Sequence, residues 1–394
     1  MIYLDNAATT MPKPARVIEA MTKAMTCAGN ASRGVNQASL QASRIVSEAR
    51  EEIAGLFDFA FPNRVCFTMN ATEALNTVIL GMFNRGDHVI TTAMEHNSVL
   101  RPLRRLEDEG RIKLTVIPAN DKGRIALGDL EKAICGETKA LVIQHASNVT
   151  GNVNDLFQIG AVCRKYGIFL VVDAAQTAGV IPIDMKAMQI DVLCFTGHKG
   201  LWGPQGTGGI LAGERVEIRP LKEGGSGVHS YDRRQPEVYP EHLEAGTLNV
   251  HGIAGLLAAV RGIRRTGVQA IYRREINLAR SFYDKVSRIE NITLYGDYTS
   301  WEKEEAEGFD RTGIVSLNIE GCDSGEVADE LMERFGIATR SGAHCAPLAH
   351  GALGTVDSGI VRFSFSGMNS EEDAKMAADA VRILAEEMAD FTIN

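Results

Sequence analysis

The segment DVLCFTGHKGLWGPQGTGGIL sets Lys199 just after an apolar strand-like run that ends at Thr196, and a glycine-rich loop continues to Gly209. Ligands bind beyond the carboxyl ends of such strands. A lysine there forms a Schiff base with a carbonyl cofactor once desolvation or neighbouring cations lower its pKa, and it then serves as a proton-transfer base. Read alone, a lysine is more often a solvated surface residue. GPQGTGG fits neither GxxxxGKS/T nor a GxGxxG turn opening a helix, which argues against a nucleotide-phosphate loop.

Three further strand ends carry candidates. IFLVVDAAQTAG places Asp173 past a buried strand, where an unpaired carboxylate is expensive, so it implies either a cationic partner or a helix cap. The pyridinium nitrogen of pyridoxal phosphate is such a cation. FTMNATEALN ends a strand at Thr68 and opens a helix near Ala71 and Thr72, whose free N–H groups and dipole suit a phosphate; an ordinary helix start explains the same residues. In EHNSVLRPL, His96 sits where its ring can stack on a planar cofactor or simply pack at a helix start, and neither role needs a metal. RSGAHCAPLAH reads as a loop, through Gly342, Pro347 and Gly351, that carries Cys345. Its neighbours His344 and Arg340 promise an electropositive setting that favours thiolate, although most free cysteines are buried and inert. Arg362, in GIVRFSFS, offers a planar guanidinium on a strand, suited to a carboxylate.

These residues need a scaffold. At 394 residues and 45% hydrophobic, the chain is long enough for two packed lobes. VCFT, HVITT, LTVIP, ALVIQH, IFLVVD and DVLCFT alternate with helical patterns from about 65 to 212, the form of an α/β domain whose mainly parallel sheet is covered on both faces. Beyond EAGTLNV a long helix is predicted over roughly 251–289, then a strand near 292, a solvated acidic loop over 302–310, the strand GIVSLNI, and a helix from about Ser370. The expected division is a large domain of 16–261 and a smaller α+β domain of 1–15 with 262–394.

A net charge of −9 with mixed signs gives no electrostatic reason to expect nucleic acid or an anionic membrane. Seven scattered cysteines without a CxxC pair read as reduced thiols. With no run of eighteen apolar residues and no signal-like start, a soluble cytoplasmic protein is expected.

In chain order, YLDNAATT, TEALN, EHNSV, HASNVTGNVND, VDAAQ, TGHKG, EAGTLN, RSGAHCAP and VRFSFS resemble the class V aminotransferase superfamily of pyridoxal-phosphate enzymes with fold type I. Within it they resemble the cysteine desulfurase and selenocysteine lyase family, and the short RxGxHCAP form is similar to the group II, SufS-like members. The resemblance implies a large domain with a seven-stranded-type sheet and a small domain bearing the cysteine loop. It makes Lys199 the cofactor lysine, Asp173 the pyridinium partner, Gln176 a donor to the ring oxygen and His96 the stacking residue. Ala71, Thr72, Thr196 and His198 would hold the phosphate; Thr247 would reach it from a partner subunit, implying a homodimer. Asn148 and Arg362, with Arg340 nearby, would grip the substrate carboxylate. The implied activity converts L-cysteine, or L-selenocysteine as the alternative, to alanine, with Cys345 taking the sulfur as a persulfide for an acceptor protein in iron–sulfur cluster assembly. Another class V reaction such as transamination, or a non-catalytic scaffold, are the rivals. Positions 69–71 and 224–247 depart from the usual pattern.

Overall fold

The computed structural model describes residues 1–31, 34, 36–303 and 308–391. The chain begins with β1 (Ile2–Tyr3), α1 (Ala15–Cys27) and α2 (Gln37–Leu56). The alternating region follows as β2 (Val65–Thr68), α3 (Ala71–Met82), β3 (Asp87–Thr92), α4 (Asn97–Asp108), β4 (Ile112–Ile117) and α5 (Leu127–Ala133). It continues through β5 (Thr138–Gln144), α6 (Leu156–Tyr166), β6 (Phe169–Asp173), β7 (Val192–Thr196) and β8 (Gly208–Ala212). These strands form one seven-stranded sheet in the order β2-β8-β7-β6-β5-β3-β4. All its pairings are parallel except those of β8, which runs antiparallel to β2 and β7.

Continuous apolar runs suit this position because both sheet faces are covered. On β5, Leu141 and Ile143 enter one core cluster, while Ala140 and Val142 enter another on the opposite face. The β8 strand was expected as loop. Its glycines are required by close approach rather than by a turn: a Cβ on Gly208 would lie 2.8 Å from the Asn70 backbone, and one on Gly209 would lie 2.7 Å from the Phe195 ring. The start of α3 is thereby held tight against the sheet.

The second part comprises α7 (Val250–Thr266), α8 (Val268–Val286), β9 (Ile292–Tyr295), α9 (Thr299–Glu302), β10 (Ile314–Ile319) and α10 (Ser324–Phe335). It ends with β11 (Ile337–Ala338), α11 (Pro347–Leu353), β12 (Val361–Ser364) and α12 (Glu371–Phe391). The single helix expected over 251–289 is two. Gly267, at φ +86°, breaks it, so that α7 packs on α1 and α2 while α8 packs on α12. Strands β12, β10 and β9 make an antiparallel sheet, and β1 pairs in parallel with β11, tying the N-terminus to this domain.

The acidic stretch 302–310 is described only in part, since 304–307 lie outside the described residues. Just before it, Tyr298 and Trp301 are buried in the small-domain core, with the Arg311 guanidinium 3.7 Å from the Tyr298 ring centre. The polar appearance of DYTSWEKEEAEGFD therefore concealed a packed aromatic anchor. Among the described residues, no helix is long and apolar enough to cross a membrane.

Candidate active site

The carboxyl ends of the parallel strands open onto one cavity. It is lined by Ala71, Thr72, His96, Asn148, Asp173, Gln176, Thr196, His198 and Lys199, among others. Nine of the sequence-derived candidates thus converge on one space from five different strand ends or helix starts.

Each wall has a local cause. Asn70 caps α3 by accepting the Glu73 N–H at 2.9 Å, which leaves the N–H groups of Ala71 and Thr72 at the cavity. His96 caps α4: its Nδ1 accepts the Ser98 N–H at 3.0 Å, so the ring proton sits on Nε2. His96 thus both caps the helix and lines the cavity. Burial, with the Lys199 charge next in importance, pushes its pKa down to about 4, so the ring is neutral. His198 is likewise pushed down to about 4, by burial first and then by Lys199. The carbonyl of His198 accepts from Thr10 N–H, the Thr9 hydroxyl and Lys13 Nζ, so the N-terminal segment pins the turn that carries Lys199.

Lys199 is pushed down to about 8, by burial foremost and then by the Arg362 charge, with Asp173 opposing. Asp173 is 5% exposed, and its carboxylate accepts one hydrogen bond among the described residues, from the Ala175 N–H at 2.9 Å. Burial raises its pKa more than the Ala175 N–H and the Lys199 charge lower it. Gln176 Nε2 donates to the Ala7 carbonyl at 3.2 Å. Thr196 ends β7, its hydroxyl 3.5 Å from the Thr207 carbonyl.

The cysteine loop is tied to residues at the edge of this cavity by two hydrogen bonds. The Cys345 carbonyl accepts the Asn97 N–H at 2.7 Å, and the His344 carbonyl accepts Asn148 Nδ2 at 2.8 Å. Cys345 is exposed. Arg362, 2% exposed on β12, donates to the Asn148 carbonyl at 2.9 Å and to Asp5 at 2.8 Å. The Arg340 backbone pairs with that of Arg362, and its charge lowers the pKa of both Lys199 and His96.

One expectation changes here. His344 is not a cation beside the thiol: burial, reinforced by Arg362, pushes it down to about 3, and its Nε2 lies 3.3 Å from the Arg340 carbonyl. Thr247 is exposed and does not line the cavity of its own chain.

Sequence reading passed over Asp5, which holds Arg362, and Glu95, which is fully buried behind His96. Asp5 stood within a quoted motif; the signal for Glu95 was a carboxylate next to an apolar strand end.

The residues fit pyridoxal phosphate. A buried carboxylate without a cation, a half-buried lysine with a lowered pKa, a helix start facing the space, and the partnerless buried atoms His198 Nδ1 and Asn148 Oδ1 are the complements of its pyridinium, aldehyde and phosphate.

The aminotransferase class-V family model matches residues 2–376. A protein of Methanothermobacter thermautotrophicus named "Probable cysteine desulfurase" is 35% identical, covering 98% of this chain and 94% of its own. The Vibrio vulnificus protein named "Cysteine desulfurase IscS" is 32% identical over 99% and 94%. Among solved structures, the apo cysteine desulfurase of Thermococcus onnurineus superposes with a TM-score of 0.89 at 34% identity, covering 98% of this chain and 95% of that one. Matched from its first strand into its last helix, the chain belongs to the class-V aminotransferase family and, within it, to the cysteine desulfurases.

Proposed function

We propose that this protein is a pyridoxal-phosphate-dependent cysteine desulfurase that converts L-cysteine to L-alanine and takes the sulfur onto Cys345. The observation that carries the reading is the joining of two parts: a lysine–aspartate–histidine cavity, and an exposed cysteine whose loop backbone is tied to Asn97 and Asn148, the latter lining that cavity.

Bound pyridoxal phosphate supplies an electron sink for the charge left when the substrate loses its α-proton. Asp173 and His96, which both line the cavity, would hold the cofactor ring, Asp173 by favouring a protonated ring nitrogen. Lys199 Nζ, with its pKa near 8, takes the α-proton and later returns one to carbon. Arg362 and Asn148 orient the substrate carboxylate. Cys345 Sγ then attacks the substrate sulfur; the S–S bond forms as the Cβ–S bond breaks, and the carbon skeleton leaves as alanine. The balance is L-cysteine plus thiol giving L-alanine plus persulfide.

The short, pinned loop supports a place among the SufS-like group, in which a protein acceptor comes to the thiol, with iron–sulfur cluster assembly as the destination of the sulfur. The exposed position of Thr247, outside its own cavity, supports a homodimer in which it serves the partner's site. Seven free cysteines support a reducing compartment, the cytoplasm.

The test is to incubate the cofactor-loaded protein with L-cysteine, quantify alanine and map persulfide by mass spectrometry. Sulfur is expected on Cys345. Cys345→Ala should keep the lysine-dependent cofactor absorbance and lose sulfur release; retained release would sink the assignment, and activity confined to selenocysteine would favour the lyase.

A further inference from the structure

We propose that Glu95 is a second carboxylate of the cofactor site, a positioning residue that acts through Gln144 and Asp173 to hold a cationic ring nitrogen. The inference rests on the pyridoxal-phosphate reading above and extends it to a residue that touches neither cofactor nor substrate.

Glu95 is completely buried in the turn between β3 and α4, one residue before His96. One of its oxygens accepts the Thr92 hydroxyl at 2.6 Å, and the other accepts the Gln144 N–H at 2.8 Å. The Thr92 oxygen in turn accepts the Met94 N–H at 3.2 Å, so its own proton is directed to Glu95. Both contacts ask Glu95 for acceptor oxygens, which an ionised carboxylate supplies on each side. No lysine, arginine or histidine forms an ion pair with it among the described residues.

Gln144 ends β5 and is the register partner of Asp173 at the end of β6. Glu95, the Gln144 backbone and Asp173 therefore form a short series across neighbouring strand ends, finishing at the cavity. Burial pushes Glu95 up to about 8, with Asp173 contributing to the rise, so at neutral pH Glu95 holds its proton until a cation beside Asp173 favours the release. Two carboxylates in series within a low-dielectric interior favour a cation at the open end, where Asp173 faces the cavity. Lys199 is the protein's own cation there, and the site itself disfavours its charge. The cation that satisfies both acids is a protonated pyridine nitrogen.

A purely structural role is the competing account: Glu95 would only tie the His96 turn to β5. The two accounts separate on a ligand without the ring nitrogen. Cofactor-free wild type and Glu95→Gln are titrated with pyridoxal 5'-phosphate and with its 1-deaza analogue, in which CH replaces the ring nitrogen, following binding by fluorescence quenching and absorbance. Gln is isosteric and keeps an acceptor for Gln144. The expected result is about a tenfold weaker affinity of Glu95→Gln for pyridoxal phosphate, the effect of one pKa unit. Affinity for the deaza analogue should be unchanged. Equal weakening toward both ligands, or no weakening toward either, overturns the proposal. If Glu95→Gln fails to fold, Glu95→Asp replaces it; Asp keeps the charge and should prefer pyridoxal phosphate over the deaza analogue as wild type does, and loss of that preference also overturns the proposal. Wild type that binds neither ligand would instead refute the cofactor reading on which this rests.

Discussion

Replacing Arg362 by lysine tests how the site grips its substrate. The guanidinium is 2% exposed and spans two fixed partners, the Asn148 carbonyl at 2.9 Å and Asp5 at 2.8 Å, while its Nε is buried without a partner. Those bonds fix the plane of the fork and leave further N–H groups for a substrate carboxylate. Lysine keeps the charge but has a single nitrogen on a flexible stem, so one charge-assisted hydrogen bond to the carboxylate is lost. Such a bond contributes about 1.5–3 kcal/mol. At about 1.4 kcal/mol per tenfold, KM for L-cysteine should rise roughly 10- to 150-fold with a smaller change in kcat. The assay is alanine formation against cysteine concentration. Cysteamine, which lacks the carboxylate, is the control, its binding followed by cofactor absorbance; wild type and variant should bind it alike. An unchanged KM for cysteine, or an equal penalty on cysteamine, would refute the carboxylate role.

Because Lys199 is pushed down to about 8, capture of pyridoxal phosphate by the cofactor-free protein should accelerate as pH rises through about 8, where Nζ loses its proton; a midpoint near the ordinary lysine value would contradict the burial and Arg362 effects. Glu244→Gln breaks a buried bidentate pair with Arg50, at 2.9 and 2.7 Å, that also accepts the Phe67 N–H, and should cost about 3–5 kcal/mol in urea unfolding. Glu275, 4% exposed with one N–H partner at Gly367, is pushed up to about 8 by burial. The folded chain therefore holds this proton more tightly than the unfolded one, and stability falls as pH rises from the ordinary carboxyl range to about 8. Glu275→Gln should flatten that part of the melting-temperature profile; an unaltered slope would show that the carboxyl finds a cation or water that stabilises its charge.

What could be read in advance follows from what is local. Lys199, Asp173, His96 and Thr72 each sit where an apolar run stops, and strand ends of a parallel sheet point one way, so their convergence is implied by the pattern. The strand β8 escaped notice because its glycines answer to Asn70 and Phe195, residues far away in sequence. The break at Gly267 escaped because apolar periodicity continues through it. The charge of His344 was misjudged because neutrality comes from burial and from Arg362, both supplied by tertiary packing. Asp5 and Glu95 were missed for the same reason: each acts through a partner on another strand, Arg362 on β12 and Gln144 on β5.

The loop that carries Cys345 brings local strain and long-range anchoring together. His344 and Cys345 both hold positive φ, 48° and 56°, a left-handed pair that non-glycine residues adopt only when the surroundings impose it. Here the surroundings are the Asn97 N–H on the Cys345 carbonyl, Asn148 on the His344 carbonyl, and the burial of Ala346 and Ala349 immediately beyond. Two of these anchors come from the large domain, one of them from the first residue after His96. The thiol is thus positioned by the same elements that build the cofactor cavity, and it is exposed without a long arm to carry it elsewhere. Asn148→Ala, which removes the His344 anchor while leaving Lys199 and Asp173 in place, should slow transfer to Cys345 more than it weakens cofactor binding.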